Sequence, residues 1–252
     1  MSLNFRLIGR LDIKSNKVVR TIQKEGFKFL DDPLVYAKKL YEDGIDEIIF
    51  DDIVASLYER NSITAEITKL SKSVFIPFTV GGGIRNLQDA SFAFESGADK
   101  IFVNTAAIKD PKLIYLISKK FGSQSVSLSA QAKRIRDKWI AFYDNGRENS
   151  NIFIEDLIQT AQNNGVGEII LQSIDKQGTK KGFDYDLYSF VLNFTKVPLI
   201  ASGGFGKIEH IEKLVKFTSN KISGIAFANI ILEELITIKE LDNYCKSLNL
   251  IR

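Results

Sequence analysis

The sequence predicts an α/β protein, a single closed (β/α)8 barrel of the TIM type spanning residues 1–252. Three observations lead there. Short, near-continuous apolar runs alternate with helix-period segments along the whole chain. Eight strand-like runs in 252 residues match the count and size of such a barrel. An internal repeat of about half the chain sorts those strands into two sets of four. An open, doubly wound sheet is the competing α/β architecture.

The expected strands are 5–11, 46–52, 75–80, 100–104, 124–130, 168–173, 197–201 and 223–228. Their unbroken apolar character suits a parallel sheet covered by helices. Of the intervening segments, 33–43 places Pro33 in a helix first turn and follows it with Leu34, Val35, Ala37, Leu40 and Tyr41. Segment 86–96 repeats the spacing with Leu87, Ala90 and Phe94, and 111–120 and 152–164 read the same way. No proline- or serine-rich linker marks a domain boundary. Residues 46–53 recur as 167–174 and residues 75–83 as 196–204, both shifted by 121. A third pair, 101–104 and 225–228, follows at 124. A barrel built from two (β/α)4 halves produces such a two-fold repeat, and a doubly wound sheet does not need it.

Composition removes several function classes. Hydrophobic residues at 44% and charged residues at 26% are ordinary for a folded globular chain and exclude disorder. One cysteine, Cys245, cannot form an internal disulfide, which favours the reducing cytoplasm. One histidine, His210, excludes sites that need two, most zinc sites among them, and no metal or cofactor is expected. A net charge of +3 gives no reason to expect nucleic acid. No apolar run approaches the ~18 residues of a membrane span, and the N-terminal segment reads as a first strand rather than a leader.

Two glycine clusters, Gly81-Gly82-Gly83 and Ser202-Gly203-Gly204, each follow a strand and open the loop at its C-terminal end. That is the catalytic face of such barrels. Glycines there let backbone N–H groups approach an oxyanion, so a repeat-related pair suggests a ligand with a phosphate at each end. Neither cluster is a nucleoside triphosphate loop. Carboxylates at strand ends also face the pocket, which singles out Asp12, Asp51, Asp52 and Asp175. The repeat counterpart of Asp12 falls at Gln131, which cannot exchange a proton as a carboxylate does.

At these residues the chain resembles the cyclase subunit of imidazole glycerol phosphate synthase, over essentially its whole length. The matching stretches include Leu11-Asp12 with Lys17-Val18-Val19-Arg20, Asp52-Ile53-Val54-Ala55-Ser56 and Pro77-Phe78-Thr79-Val80-Gly81-Gly82-Gly83-Ile84-Arg85. Gly97-Ala98-Asp99-Lys100, Asn104-Thr105-Ala106-Ala107, Phe121-Gly122-Ser123-Gln124, Asp175 with Gly178-Thr179, and Ile200-Ala201-Ser202-Gly203-Gly204 continue the match. The resemblance implies a glutaminase subunit docked on the barrel's N-terminal face, near Asp99, as a heterodimer. Ammonia would cross the barrel and meet a small phosphorylated substrate at the C-terminal face. It implies an ammonia gate of Arg6, Glu47, Lys100 and Glu168, and Asp12 as catalytic residue. It implies one phosphate site at Gly82, Gly83, Asn104 and Thr105 and a second at Gly178, Gly203, Gly204 and Asn229. Asp52, Ser202, Asp175 and Lys133 would line the pocket.

The chain also departs from that pattern. Gln131 stands at the second catalytic aspartate and is expected to be inactive. Gln177 and Gln172 replace an aspartate and a threonine of the second phosphate region, and Tyr143-Asp144-Asn145-Gly146-Arg147 replaces a histidine-containing turn. Three readings follow. One is a paralogue that takes ammonia from a glutaminase and serves, with a separate amidotransferase, acetamidino (amidine) modification of a surface sugar. The others are an authentic cyclase of histidine biosynthesis and a non-catalytic scaffold that activates its glutaminase.

Overall fold

In the computed structural model, residues 5–22, 25–55 and 64–250 are described; Ser56 lies outside them. Eight strands pair in parallel around a closed ring: β1 (Arg6–Lys14), β4 (Glu47–Asp52), β5 (Phe78–Gly81), β6 (Lys100–Val103), β7 (Val126–Ile135), β10 (Glu168–Ser173), β11 (Leu199–Ser202) and β12 (Gly224–Phe227). The ring closes where β12 pairs with β1, Arg6 opposite Gly224, and where β7 pairs with β10, Ser127 opposite Glu168. It is the (β/α)8 barrel expected, so the doubly wound alternative falls.

The covering helices are α1 (Pro33–Glu42), α2 (Thr64–Ser71), α3 (Leu87–Glu95), α4 (Thr105–Lys109), α5 (Lys112–Phe121), α6 (Ile154–Asn163), α7 (Tyr185–Leu192), α8 (Glu209–Phe217), α9 (Asn229–Leu232) and α10 (Ile238–Ser247). Local chemistry sets their starts. Pro33 occupies the first turn of α1 while the Asp32 side chain accepts from the Leu34 amide at 2.7 Å. Thr237 and Glu240 form a reciprocal capping box on α10. Tyr188 on α7, fully buried, places its hydroxyl between β10 and β11, 2.6 Å from the Ser202 carbonyl and 3.0 Å from the Ser202 amide. Burial pushes that phenol well above its ordinary pKa, so it stays a neutral clamp.

Two antiparallel excursions rise from the catalytic end. β1 continues through a turn at Ser15 and Asn16, both in the left-handed region, into β2 (Lys17–Ile22), which pairs with β3 (Glu25–Phe29). β7 runs on past the barrel into β8 (Lys138–Tyr143) and β9 (Glu148–Phe153). The expected helix at 152–164 therefore starts later, because its first two residues complete β9. The expected third strand likewise starts at Phe78, after Pro77, whose carbonyl still accepts from the Ile48 amide.

Register defines what points inward. Strand residues alternate between the barrel interior and the helical shell. Along β1 the inward set is Arg6, Ile8, Arg10 and Asp12, and Glu47, Ile49 and Asp51 follow on β4. Ser127, Ser129 and Gln131 on β7 face Glu168, Ile170 and Gln172 on β10. The interior is thus layered: charged at the N-terminal end, apolar in the middle with Ile8, Ile49, Phe102, Ile170, Ile200 and Ala226, and polar at the catalytic end.

Candidate active site

The N-terminal layer assembles the four charges expected there into one ring. Arg6 donates from Nη1 to Glu47 at 2.8 Å and from Nη2 to Glu168. Lys100 Nζ donates to both oxygens of Glu47 at 2.9 Å and to Glu168 at 3.2 Å. Thr79 adds its hydroxyl to Glu47 at 2.7 Å. Two cations against two carboxylates give neutrality, which makes burial of Glu47 and Glu168 tolerable. Burial works against the Arg6 charge, but Glu168 and then Glu47 outweigh it and raise the guanidinium pKa further. Asp99 is near this end, where its carboxylate accepts from the Phe78 amide at 2.9 Å and caps a strand start.

The C-terminal layer holds a second buried ion cluster. Arg10 donates from Nε to Asp12 at 2.8 Å and from Nη2 to Asp51, with 3% of the Arg10 side chain exposed. Burial opposes its charge, yet Asp12 and Asp51 raise the Arg10 pKa overall. One oxygen of Asp12 is thereby occupied by a permanent cation. Gln131, at the second acid position, is buried opposite Gln172. No second carboxylate faces Asp12 from β7 or β10.

The two glycine clusters open two separate clefts. The larger, about 300 Å³, is lined by Asp51, Asp52, Gly82, Gly83, Asn104 and Thr105, with Gln131 and Asn145 at its inner wall. Gly82 adopts φ +83, and a Cβ there would meet the Asp52 carbonyl at 2.2 Å, so only glycine fits. Asn104 donates to the Ser129 and Phe142 carbonyls, and Thr105 bonds Asp144, so both side chains hold the second hairpin over this cleft. The smaller cleft, about 50 Å³, is lined by Arg10, Asp12, Gln172, Gln177, Gly178, Lys180, Ser202, Gly203 and Gly204. Asn229 starts α9 beside it, its side chain outside the described residues.

Two expected pocket residues are elsewhere. Asp175 accepts from the Arg134 amide at 2.9 Å and secures the β7–β8 hairpin. Lys133 sits where β7 has left the barrel, exposed, with its ammonium 5.9 Å from the Phe142 ring centre. Neither lines a cleft. Sequence reasoning in turn missed Arg10 as a site residue, although counting back two from Asp12 along β1 points it inward. It also missed the ion bridge of Glu233, which joins Arg20 at 2.8 Å and Lys180 across the mouth of the smaller cleft. His210 belongs to neither cleft: its Nδ1 accepts from the Gly206 and Lys207 amides at 3.2 Å.

Comparison with known proteins is decisive on kinship. The family described as histidine biosynthesis protein matches residues 6–237. The chain belongs to that family. Among its members, the imidazole glycerol phosphate synthase subunit HisF of Legionella pneumophila is 46% identical over 82% of this chain and 98% of its own length. The subunit of the same name from Streptococcus sanguinis is 40% identical over 94% of both chains. That from Thermotoga sp. (strain RQ2) is 39% identical over 96% of this chain and 94% of its own. The ion ring, the paired glycine clefts and Asp12 are therefore features of a histidine biosynthesis protein, and Arg10 with its three buried glutamines sits at its catalytic end. Among the described residues no helix is long and apolar enough to cross a membrane.

Proposed function

We propose that this barrel accepts ammonia from a glutaminase subunit and delivers it to an acceptor other than the histidine precursor. The observation that carries the reading is the catalytic end itself. Gln131 and Gln172 face each other without a carboxylate, and Asp12 is tied to Arg10. Cyclisation needs protons moved at two places, and loss of one general acid or base typically costs 10²–10⁴-fold in rate. The amidine modification of a surface sugar, with a separate amidotransferase completing the transfer, is the acceptor chemistry this reading favours. It asks of the barrel ammonia and a bound phosphorylated molecule, not ring closure.

The N-terminal end supports the ammonia half. Arg6, Glu47, Lys100 and Glu168 form a closed ring whose ion pairs can part and re-form, which suits a gate. Phe75, 73% exposed, stands at the same end and offers a partner an apolar contact. The clefts support a ligand with phosphates at Gly82–Gly83 and at Gly178 and Gly203–Gly204. The test is glutamine hydrolysis by a HisF-partner glutaminase with and without the barrel, alongside size-exclusion chromatography. Complex formation with stimulated hydrolysis is expected. An unchanged glutaminase and no complex would refute the ammonia-delivery reading.

A second reading, an authentic cyclase of histidine biosynthesis, is favoured by identity of 36–46% to relatives all named as that synthase's subunit. The two separate on turnover of the histidine-pathway ribotide. A pure scaffold is disfavoured by the intact ion ring and the two open clefts.

A further inference from the structure

The polar layer at the catalytic end divides along the protein's own repeat. Arg10, Asp12 and Asp51 of the first half correspond to Ser129, Gln131 and Gln172 of the second, at offsets of 119, 119 and 121 residues. The first trio is a buried ion cluster. The second is neutral and as deeply buried, at 1%, 3% and 1% exposure. Yet Ser129 Oγ, Gln131 Oε1 and Gln172 Oε1 have no hydrogen-bond partner among the described residues. Ser127 Oγ, two residues below on β7 and opposite Glu168 of the ion ring, shares that condition.

Buried polar atoms are ordinarily satisfied, and an orphaned one costs free energy. Four in one contiguous line need a common explanation. Amide oxygens only accept hydrogen bonds, and hydroxyls both accept and donate. Their complement is a small molecule rich in N–H or O–H donors that carries at least one acceptor. Ser127, Ser129 and Gln131 alternate with outward residues, so they form inward rungs about 7 Å apart, twice the ~3.3 Å strand rise. A molecule midway between two rungs lies about 3.5 Å from each, within reach once the side chains turn. The rest of the middle layer is apolar, and the Phe102 ring packs on Gly81 so closely that a Cβ there would lie 2.0 Å from it. The only polar crossing among the described inward residues of that layer is Ser129.

We propose that Ser127, Ser129, Gln131 and Gln172 form a neutral stripe that carries ammonia from the ion ring across the apolar layer and holds it at the catalytic end. The proposal rests on the ammonia-delivery reading and deepens it. Ammonia suits the upper end better than water does. Its three N–H donors match the two glutamine oxygens and the Ser129 hydroxyl, while its lone pair accepts that hydroxyl's proton on the way up. Gln131, in this account, is a positioning residue for the nitrogen donor.

The test is thermal unfolding of the full chain at pH 9 in ammonium chloride against equal sodium chloride. Ammonium is expected to raise Tm by about 2–4 °C at roughly tenfold its Kd. The Gln131→Met/Gln172→Met double variant is expected to unfold cooperatively in sodium chloride and to lose that increment. Ser129→Ala, a milder change on the same stripe, is expected to reduce it. An increment absent from the wild type, or retained in full by both variants, would overturn the stripe. Stimulation of a glutaminase is read independently, so that outcome leaves the delivery reading standing, and a barrel that binds ammonium yet ignores glutaminases fails the delivery reading alone.

Discussion

Replacing Arg10 with methionine keeps most of the side-chain volume and removes the charge that Asp12 and Asp51 share. The three side chains are 3%, 6% and 7% exposed, so water cannot take the guanidinium's place. Breaking a buried pair by removing one partner costs about 3–5 kcal/mol, and here one cation serves two carboxylates. For a chain of this size each 1 kcal/mol moves Tm by about 2–4 °C, so Arg10→Met is expected to lower Tm by roughly 6–20 °C at pH 8. The deficit has a signed pH dependence. Buried carboxylates stripped of their cation take up a proton more readily in the folded chain than in the unfolded one. Folding of the variant then binds protons, and its deficit narrows as pH falls from 8 toward 5. Adding Asp12→Asn and Asp51→Asn should recover most of the loss. Urea unfolding across that pH range is the assay. A deficit under about 1 kcal/mol, or one that does not narrow in acid, would refute the view that Arg10 neutralises the catalytic end.

Further predictions follow from single contacts. Tyr188→Phe removes the only hydroxyl between β10 and β11 at this point and orphans the buried Ser202 amide, an expected loss of about 1–3 kcal/mol in chemical denaturation. His210→Ala should cost about 1 kcal/mol at pH 8, as capping contacts do. Burial lowers the His210 pKa, so its contribution is present above the ordinary value of about 6.5 and is lost as pH falls through the folded value; the wild-type advantage over His210→Ala should shrink from pH 7 to pH 5. Crystals soaked in sulfate should show an anion at Gly82–Gly83 and a weaker one at Gly178 and Gly204. Density at the second cleft alone would reverse that order, and none at either would end the phosphate reading.

Much of this was legible before any coordinates. Near-continuous apolar runs located all eight barrel strands because a parallel sheet buried on both faces leaves little room for polar residues. The 121-residue repeat located both glycine clefts and paired Glu47 with Glu168. What escaped were elements without those signals. The hairpins of β2–β3 and β8–β9 are polar and alternate, and they turn on non-glycine residues at positive φ, such as Asn16 and Arg136. Arg10 escaped because a charge inside an apolar run was credited to the surface, although its spacing of two from Asp12 points it inward. Lys133 and Asp175 were assigned to the pocket because the strand was ended at 130, when the chain runs on to Ile135 and carries both outward.

The account's central claim is that the catalytic end no longer performs cyclisation. Turnover of the histidine-pathway ribotide by the purified chain, with saturating free ammonium, tests it without a glutaminase. A rate at least ~10²-fold below that of a family member with both aspartates is expected, from the loss of one general acid or base, with a partial gain in Gln131→Asp. Turnover within a few-fold of that relative would contradict the account and establish a working cyclase.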